Sequence, residues 1–413
     1  MLVSRGDPWS GPGEAHLKPV EYLLLFLGTV PFIYYFLVIW SSSRYFLQAK
    51  KYSWENQDFA PPISNLKPVR GLDPEAYENF ASLCRQDYPE YELIFCTTDS
   101  TDPSVPVIEK LMRDFPERNI RLLYSQGHSA INDKVAKLGL MLREARHDHI
   151  VINDSDVRVE PDYLRKVIAP LRDPNVGGVT CFYVSTEDKN FEESLQTIGM
   201  ISDFYAGILV AWQLDGVHFA LGPTMASTKE RIRSFGGFQV LEGRPADDLL
   251  FGRLIAEQGF EMKLLPYAVQ SVPDYEGVGA LFLKRLRWMT VMRKMRPAGH
   301  IGLLFTWGLP WTILAVAIHP TIAVAIAYWG GYLACRFLMT WLIGVYGLKQ
   351  NSIWQKLALI PVWDLMAFLV WLTSFTRRSI RWRGVDYQLQ SGTGNFVVPT
   401  GGTAAASKPG AMQ

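Results

Sequence analysis

The sequence predicts an α/β domain on a mainly parallel sheet, joined to α-helical transmembrane segments. Between about residues 45 and 297, short apolar runs alternate with helical patterns, the order that builds a parallel sheet with helices on its faces. Around that polar centre lie long apolar runs: Tyr22 to Trp40 carries no charge, and Ile301 to Gly347 is broken only by Arg336. Acidic residues recur where strand-like runs end or helices begin, and open α/β sheets keep their ligands outside the carboxyl ends of the strands.

Residues 1–17 and 392–413, rich in Gly, Pro, Ser, Ala and Thr, are expected to be loose tails, since such compositions bury too little apolar surface to order themselves. Residues 18–42 form an uncleaved anchor: the apolar run exceeds that of a secretory signal, and no small-residue cleavage site follows. Arg44, Lys50 and Lys51 follow it, whereas Glu14, His16, Lys18 and Glu21 precede it. The positive-inside rule then puts the next segment, 45–281, in the cytosol.

Within that segment Ile63–Val69 opens the sheet and Tyr91–Thr98 is a strand ending at Asp99. Pro106–Asp114 is helical, Ile120–Tyr124 a strand, and Asp133–Arg146 a helix with apolar residues at Val135, Leu138, Leu142 and Ala145. His149–Asn153 is a strand running into Asp154-Ser155-Asp156, Gly178–Tyr183 another strand, and Asp247–Gln258 a helix with paired aspartates in its first turn. Residues 282–298, where Lys and Arg alternate with Leu, Trp, Met and Val, read as an interfacial amphipathic helix. About three membrane helices follow over 301–376, with His319-Pro320 turning between the first two and Asp364 interrupting the last, and residues 377–413 are a basic segment and tail. Four spans in all would carry Arg377, Arg378, Arg381 and Arg383 to the outside, against the positive-inside rule, so one apolar segment is interfacial or re-entrant, or the first span dominates.

Lys and Arg total 41 against 40 Asp and Glu, a balance without the basic footprint of nucleic-acid binding. Cys84, Cys96, Cys181 and Cys335 lack any Cys-x-x-Cys spacing, so neither a zinc site nor a disulfide framework is indicated.

The candidate chemistry lies in the acidic series. Asp154 and Asp156 place two carboxylates at a strand end, where Mg²⁺ or Mn²⁺ takes carboxylates plus substrate phosphate oxygens. Ordinary turn chemistry, with aspartates bonding local amides, is the competing reading. Asp99 suits a nucleotide's base or ribose, or else caps its own loop. Of Asp247 and Asp248, one caps the helix or meets its dipole. The other, taken as Asp248, is a general base for an acceptor hydroxyl. Arg287 offers a planar fork to a departing diphosphate, with Lys284 beside it and Trp288 as a flat wall; a plain membrane-facing basic helix explains the same residues. Lys134 contacts donor phosphate, or lies in a mere helix cap. Together they point to metal-assisted transfer of a phosphate-activated group.

LKPVRGLDP at 66–74, TTDSTDP at Asp99, INDSDVRV at 152–159, GGFQVLEGRPADDL at 236–249, KRLRW at 284–288 and WRGVDYQL at 382–389 resemble family 2-like inverting glycosyltransferases of the GT-A fold, most closely the ceramide glucosyltransferase family with its bacterial hopanoid-pathway relatives. The resemblance covers roughly residues 20–390. It implies a GT-A domain, a UDP-sugar donor, a membrane lipid acceptor and Mn²⁺ or Mg²⁺. Asp99, Asp154, Lys134, Asp247 and Lys284 would bind donor, Asp154 and Asp156 the metal, and Asp248, Arg287 and Trp288 would be catalytic. Two departures stand out: Lys284 replaces the family's Gln or Arg, and Asp203 stands where the animal ceramide enzymes carry His. The wording of LKPVRGLDP and NDSDVRV is more bacterial than animal. The expected activity is transfer of one glucose or N-acetylglucosamine to a ceramide-like or hopanoid hydroxyl, at a bacterial inner membrane with the sheet domain facing the cytoplasm. A processive polysaccharide synthase of the same fold and a non-catalytic membrane scaffold are the alternatives.

Overall fold

The computed structural model describes residues 18–50, 59–126, 132–244, 246–273, 276–382, 385–389 and 396–397. The N-terminal tail, Arg383-Gly384 of the late motif and nearly all of the C-terminal tail lie outside these residues.

The chain opens with α1 (Pro19–Ala49), then runs through β1 (Ile63–Pro68), α2 (Ala76–Cys84), β2 (Tyr91–Thr97), α3 (Val105–Asp114), β3 (Asn119–Tyr124), α4 (Asp133–Glu144) and β4 (His149–Ile152). These strands fall within one or two residues of their expected bounds. Every residue of β1 and β2 is buried, as in a parallel sheet covered on both faces. β3, by contrast, is an edge strand whose Arg121 reaches Glu92 and Glu144 at 3.3 and 3.1 Å.

Next come β5 (Val157–Arg158), α5 (Tyr163–Ile168), β6 (Val176–Ser185), α6 (Phe191–Asp215), β7 (Met225–Thr228), α7 (Lys229–Ser234), α8 (Asp247–Glu257) and β8 (Glu261–Ser271). The eight strands make one sheet in the order β3-β2-β1-β4-β7-β6-β8-β5. It is mainly parallel, with β7 antiparallel to both its neighbours and β5 antiparallel to β8. Helix α6 was not expected. It leaves the sheet after β6 and returns to it at β7, so its apolar length serves burial within the protein rather than a crossing.

α9 (Val278–Met295) is the basic helix, beginning four residues earlier than expected and burying Leu281, Leu286 and Thr290. α10 (Pro297–Phe305) and α11 (Gly308–Ile318) form a bent pair with a 49° break, followed by α12 (Ile322–Gly347) and α13 (Asn351–Ser374). His319-Pro320 is indeed the turn between α11 and α12. A small sheet of β9 (Ser379–Trp382), β10 (Val385–Leu389) and β11 (Phe396–Val397) closes the described chain. Among the described residues α1, α6, α12 and α13 are each long and apolar enough to cross a membrane.

The core runs without a break from the sheet into the helices. Tyr45 near the end of α1 donates to the Leu264 carbonyl of β8 at 2.8 Å and meets Trp212 and Phe182 edge-on at 5.0 and 5.9 Å. Burying each such ring contributes about 1.5–3 kcal/mol, so the anchor helix is fixed to the sheet rather than tethered by a linker. α12 runs parallel to α1: Tyr328 near its start donates to Leu25 O at 2.7 Å, and Tyr346 near its end lies 4.7 Å beneath the Lys50 ammonium.

Candidate active site

The site forms at the carboxyl ends of β1 and β4. Asn153, just past β4, is pinned by bonds of 2.8 Å from its amide to Tyr163 and to the Pro223 carbonyl, and it accepts from Asn65 at 2.9 Å. The Asp154-Ser155-Asp156 turn then leads into β5. Beneath it Lys67, buried within β1, donates to the Asp154 and Val157 carbonyls at 2.8 and 3.3 Å. Burial lowers the Lys67 pKa to about 8, against the pull of Asp156, Asp154 and Asp73. Sequence reasoning missed this lysine, although a cation inside a strand expected to open the sheet was itself a signal, because buried lysines need partners.

Lys134, in the first turn of α4, joins the two acidic motifs. Its ammonium lies 2.8 Å from Asp154 Oδ1 and 3.1 Å from Asp247 Oδ2. Burial disfavours its charge, but Asp154, Asp247 and Asp248 outweigh that and raise its pKa. α4 is itself fixed to β1 by Lys137, which donates to Val69 O at 2.8 Å and meets Asp133 at 2.7 Å.

The second motif opens α8 after Ala246, whose left-handed φ of 62° is costly for a residue with a side chain. Asp247 turns to Lys134, while Asp248 accepts from Gly222 N at 3.1 Å and Leu249 N at 2.8 Å. Burial, then the Asp247 charge, push the Asp248 pKa up to about 6. Gly222 also went unnoticed in the sequence. A Cβ there would sit 2.9 Å from Asp154 Oδ2 and 3.4 Å from Asp248 Oδ2, so the glycine keeps open the gap that these carboxylates share. Asp156 accepts from Ser271 Oγ at 2.8 Å; burial first and the Asp154 charge second raise its pKa.

Lys284 of α9 acts electrostatically on Asp156, which places the basic helix beside the crevice. The Lys284 ammonium lies 5.8 Å from the Trp288 ring. Arg287 is half-buried one turn along from Lys284, on the same side of the helix. Trp288 packs 6.2 Å from Phe204 of α6. Arg285, which the motif passed over, stacks between Trp288 and Trp363 at 4.8 and 4.7 Å and donates from Nε to Gln196 at 3.0 Å. Asp99 stands apart in an exposed turn, accepting from Thr101 Oγ1 and N at 2.5 and 2.8 Å, bonds that hold its pKa below the usual carboxylate value.

The arrangement gathers Asp154, Asp247 and Asp248 about the single ammonium of Lys134, with Asp156 close by. Among the described residues no three His, Cys, Asp or Glu side chains already converge at metal-ligand spacing. The donor set nonetheless suits a hard divalent cation, which takes one or two carboxylates and completes its shell with phosphate oxygens. Gly222, with no side chain, keeps the gap beside Asp154 clear of protein atoms that a Cβ would bring there.

The family described as Glycosyl transferase family 21 matches residues 23–394. Ceramide glucosyltransferase 3 of Caenorhabditis elegans is 23% identical over 426 residues, spanning 97% of this chain and 88% of its own length. A ceramide glucosyltransferase of Gibberella zeae is 31% identical over 129 residues, 29% of this chain and 24% of that relative. Among solved structures, the mannosyltransferase PcManGT from Pyrobaculum calidifontis in complex with GDP-Man and Mn²⁺ shares the fold, with a TM-score of 0.54 at 19% identity over 84% of this chain and 99% of that one.

Proposed function

The chain belongs to glycosyl transferase family 21 and is a glycosyltransferase of GT-A fold, and from that premise we propose that it moves a single sugar from a UDP donor to the hydroxyl of a membrane lipid. The sugar is glucose or N-acetylglucosamine and the acceptor a ceramide-like or hopanoid alcohol, giving a β-glycolipid. The site sits in an integral membrane protein, with the sheet domain on the cytoplasmic side of a bacterial inner membrane.

One observation carries this reading: the Asp248 carboxylate, held by two backbone N–H groups and raised to about pKa 6, shares the Gly222 gap with Asp154. A base in that range is ionised at neutral pH yet accepts a proton readily. Asp248 takes the proton from the acceptor hydroxyl, and the freed oxygen bonds to the anomeric carbon. The bond from that carbon to the diphosphate oxygen breaks on the opposite face, inverting the centre. Asp154 and Asp156 would hold Mn²⁺ or Mg²⁺, which when bound offsets the charge growing on the leaving diphosphate. Lys134, Lys284 and Arg287 bring cations to the same diphosphate, Asp99 contacts the nucleoside, and Trp288 walls the sugar or acceptor.

The test incubates detergent-purified protein and Mn²⁺ or Mg²⁺ with a panel of UDP-sugars and ceramide, diacylglycerol and hopanoid alcohols, followed by mass spectrometry of the lipid phase. One added hexose or N-acetylhexosamine is the expected product. Polymer, or no turnover with any donor, overturns the reading.

A further inference from the structure

We propose that α13 does not cross the membrane but lies in its sheet-side face, where its outer surface seats the protein on one lipid leaflet and its end returns the chain to the sheet. The partner is the headgroup and upper acyl layer of that leaflet.

The argument begins with where α13 starts. Because α12 runs parallel to α1 and ends beside Lys50, the chain enters α13 on the side of the sheet domain. Near the first turns of α13, Lys356 pairs with Asp188, three residues past the end of β6. At mid-length Trp363 packs against Gly199 of α6 and beneath Arg285 of α9. At the far end Ser374 Oγ lies 2.9 Å from His300 Nε2, and Arg293 of α9 donates to the Arg377 carbonyl at 2.5 Å.

Beyond that end the register fixes the side. Ser379 pairs with Gln388, next to the buried Tyr387, on which Arg70 past β1 and Asp133 of α4 both act. Four residues of extended chain reach at most about 14 Å, so Phe375 cannot lie across a hydrocarbon layer about 30 Å thick from Ser379. Both ends of α13 therefore belong to the sheet side. Hydropathy does not separate it from a span because Ile360–Ser374 is apolar on every side, one side being buried in protein at Trp363, Met366, Val370 and Trp371.

The other side is exposed, and its residues share a face. Val362, Leu365, Leu369 and Leu372 recur at spacings of three and four and are 44–52% exposed, with Trp354 and Phe375 extending the strip. An apolar strip ending at the exposed Arg377 and Arg378 is what an in-plane helix presents to acyl chains and anionic headgroups. The arrangement also removes the charge conflict of a four-span reading. With α1, the α10–α11 pair and α12 as the crossings, Arg377, Arg378 and Arg381 lie on the same side as Arg44 and Lys50.

The test uses the full chain with its four cysteines replaced by alanine, and single cysteines at Arg378, Ser234 on the sheet domain, and Pro320 between α11 and α12. Variants that retain glycosyl transfer are labelled with a membrane-impermeant maleimide in intact and lysed spheroplasts. Arg378→Cys should react from the same side as Ser234→Cys, and Pro320→Cys from the other. Gln388→Cys gives the same reading where Arg378→Cys fails to fold. A nitroxide at Leu369→Cys should report headgroup-level depth by oxygen and nickel-chelate collisions, against a deep position for one at Leu338→Cys on α12. Labelling of Arg378→Cys or Gln388→Cys together with Pro320→Cys, or a bilayer-centre depth at Leu369, overturns the proposal.

Discussion

Below the sheet, Arg336 of α12 meets Asp364 of α13 with Nε 2.9 Å from one oxygen and Nη2 on the other, while Tyr332 donates to the same carboxylate at 2.7 Å and Ser202 Oγ accepts from the guanidinium at 3.2 Å. At the strand ends, Lys134 faces Asp154, Asp247 and Asp248, with Lys67 beneath the Asp154 turn. In the first cluster one guanidinium meets one carboxylate at two points, and the geometry of that pair is complete. The second crowds several carboxylates together, Asp247 beside Asp248 and Asp154 beside Asp156, and two of its acids share a gap that a glycine keeps open. Buried charge that is fully paired joins helices; buried carboxylates crowded at an open gap suit a cationic or proton-bearing ligand.

Single substitutions should separate the two kinds of cluster. Asp248→Asn keeps the shape of the crevice and removes its base, and should lower glycosyl transfer by about 10²–10⁴-fold with donor binding intact by calorimetry. Normal turnover in that variant would remove Asp248 from the mechanism. In the matched cluster, Arg336→Met strands Asp364, an error that costs about 3–5 kcal/mol. Thermal unfolding in detergent should show it as a large fall in Tm. The double variant Arg336→Met with Asp364→Leu should recover most of that loss, since both charges go together. If the single variant unfolds like wild type, the pair is not the joint described here.

pH sharpens the contrast through Asp248. Its folded pKa of about 6 lies above the ordinary carboxylate value of 3.8, so ionising it disfavours the folded state. The stabilising effect of the protonated form is present below 3.8 and is lost as pH rises to about 6. Activity runs the other way, because the base works only when ionised: kcat/KM should fall about tenfold per pH unit below 6 and level off above it. A flat profile between pH 5 and 7 would count against the assignment.

The sequence made the crevice legible for a physical reason. Asp154, Asp156, Asp247, Asp248 and Lys134 all sit at strand or helix ends, and such ends are marked locally by where an apolar pattern stops. Helix α6 escaped notice because its amphipathic period is confined to the Phe191–Gly199 turns and fades over Tyr205–Asp215, which is apolar on every side. Lys67 was hidden by the strand containing it, and Gly222 carries no side chain to read. Arg336 and Asp364 were each visible as breaks in apolar runs, but nothing local says that residues 28 apart complete one another. The same blindness left the membrane topology in conflict: hydropathy measures how apolar a helix is, not whether protein or lipid covers it.

Gly222 offers the finest test of the difference between the clusters. It is absent from the positive-φ positions, so alanine there meets no backbone penalty, and the effect of Gly222→Ala should come from space alone. The added methyl would stand 2.9 Å from Asp154 Oδ2, closer than real contacts allow, and 3.4 Å from Asp248 Oδ2. Asp154 must then give way, loosening its ion pair with Lys134 and moving off the position from which it would hold metal. A displacement of this size at a reacting centre can lower the rate by up to about 10²-fold; for one methyl against a side chain able to shift, about tenfold in kcat is expected. Half-saturation by Mn²⁺ should rise with it, while Tm stays near wild type because Asp154 can shift without breaking the Lys134–Asp247 pair between α4 and α8. A fall in Tm with Mn²⁺ response unchanged would mean that Gly222 serves packing, and that the open gap is not where the metal and the base meet.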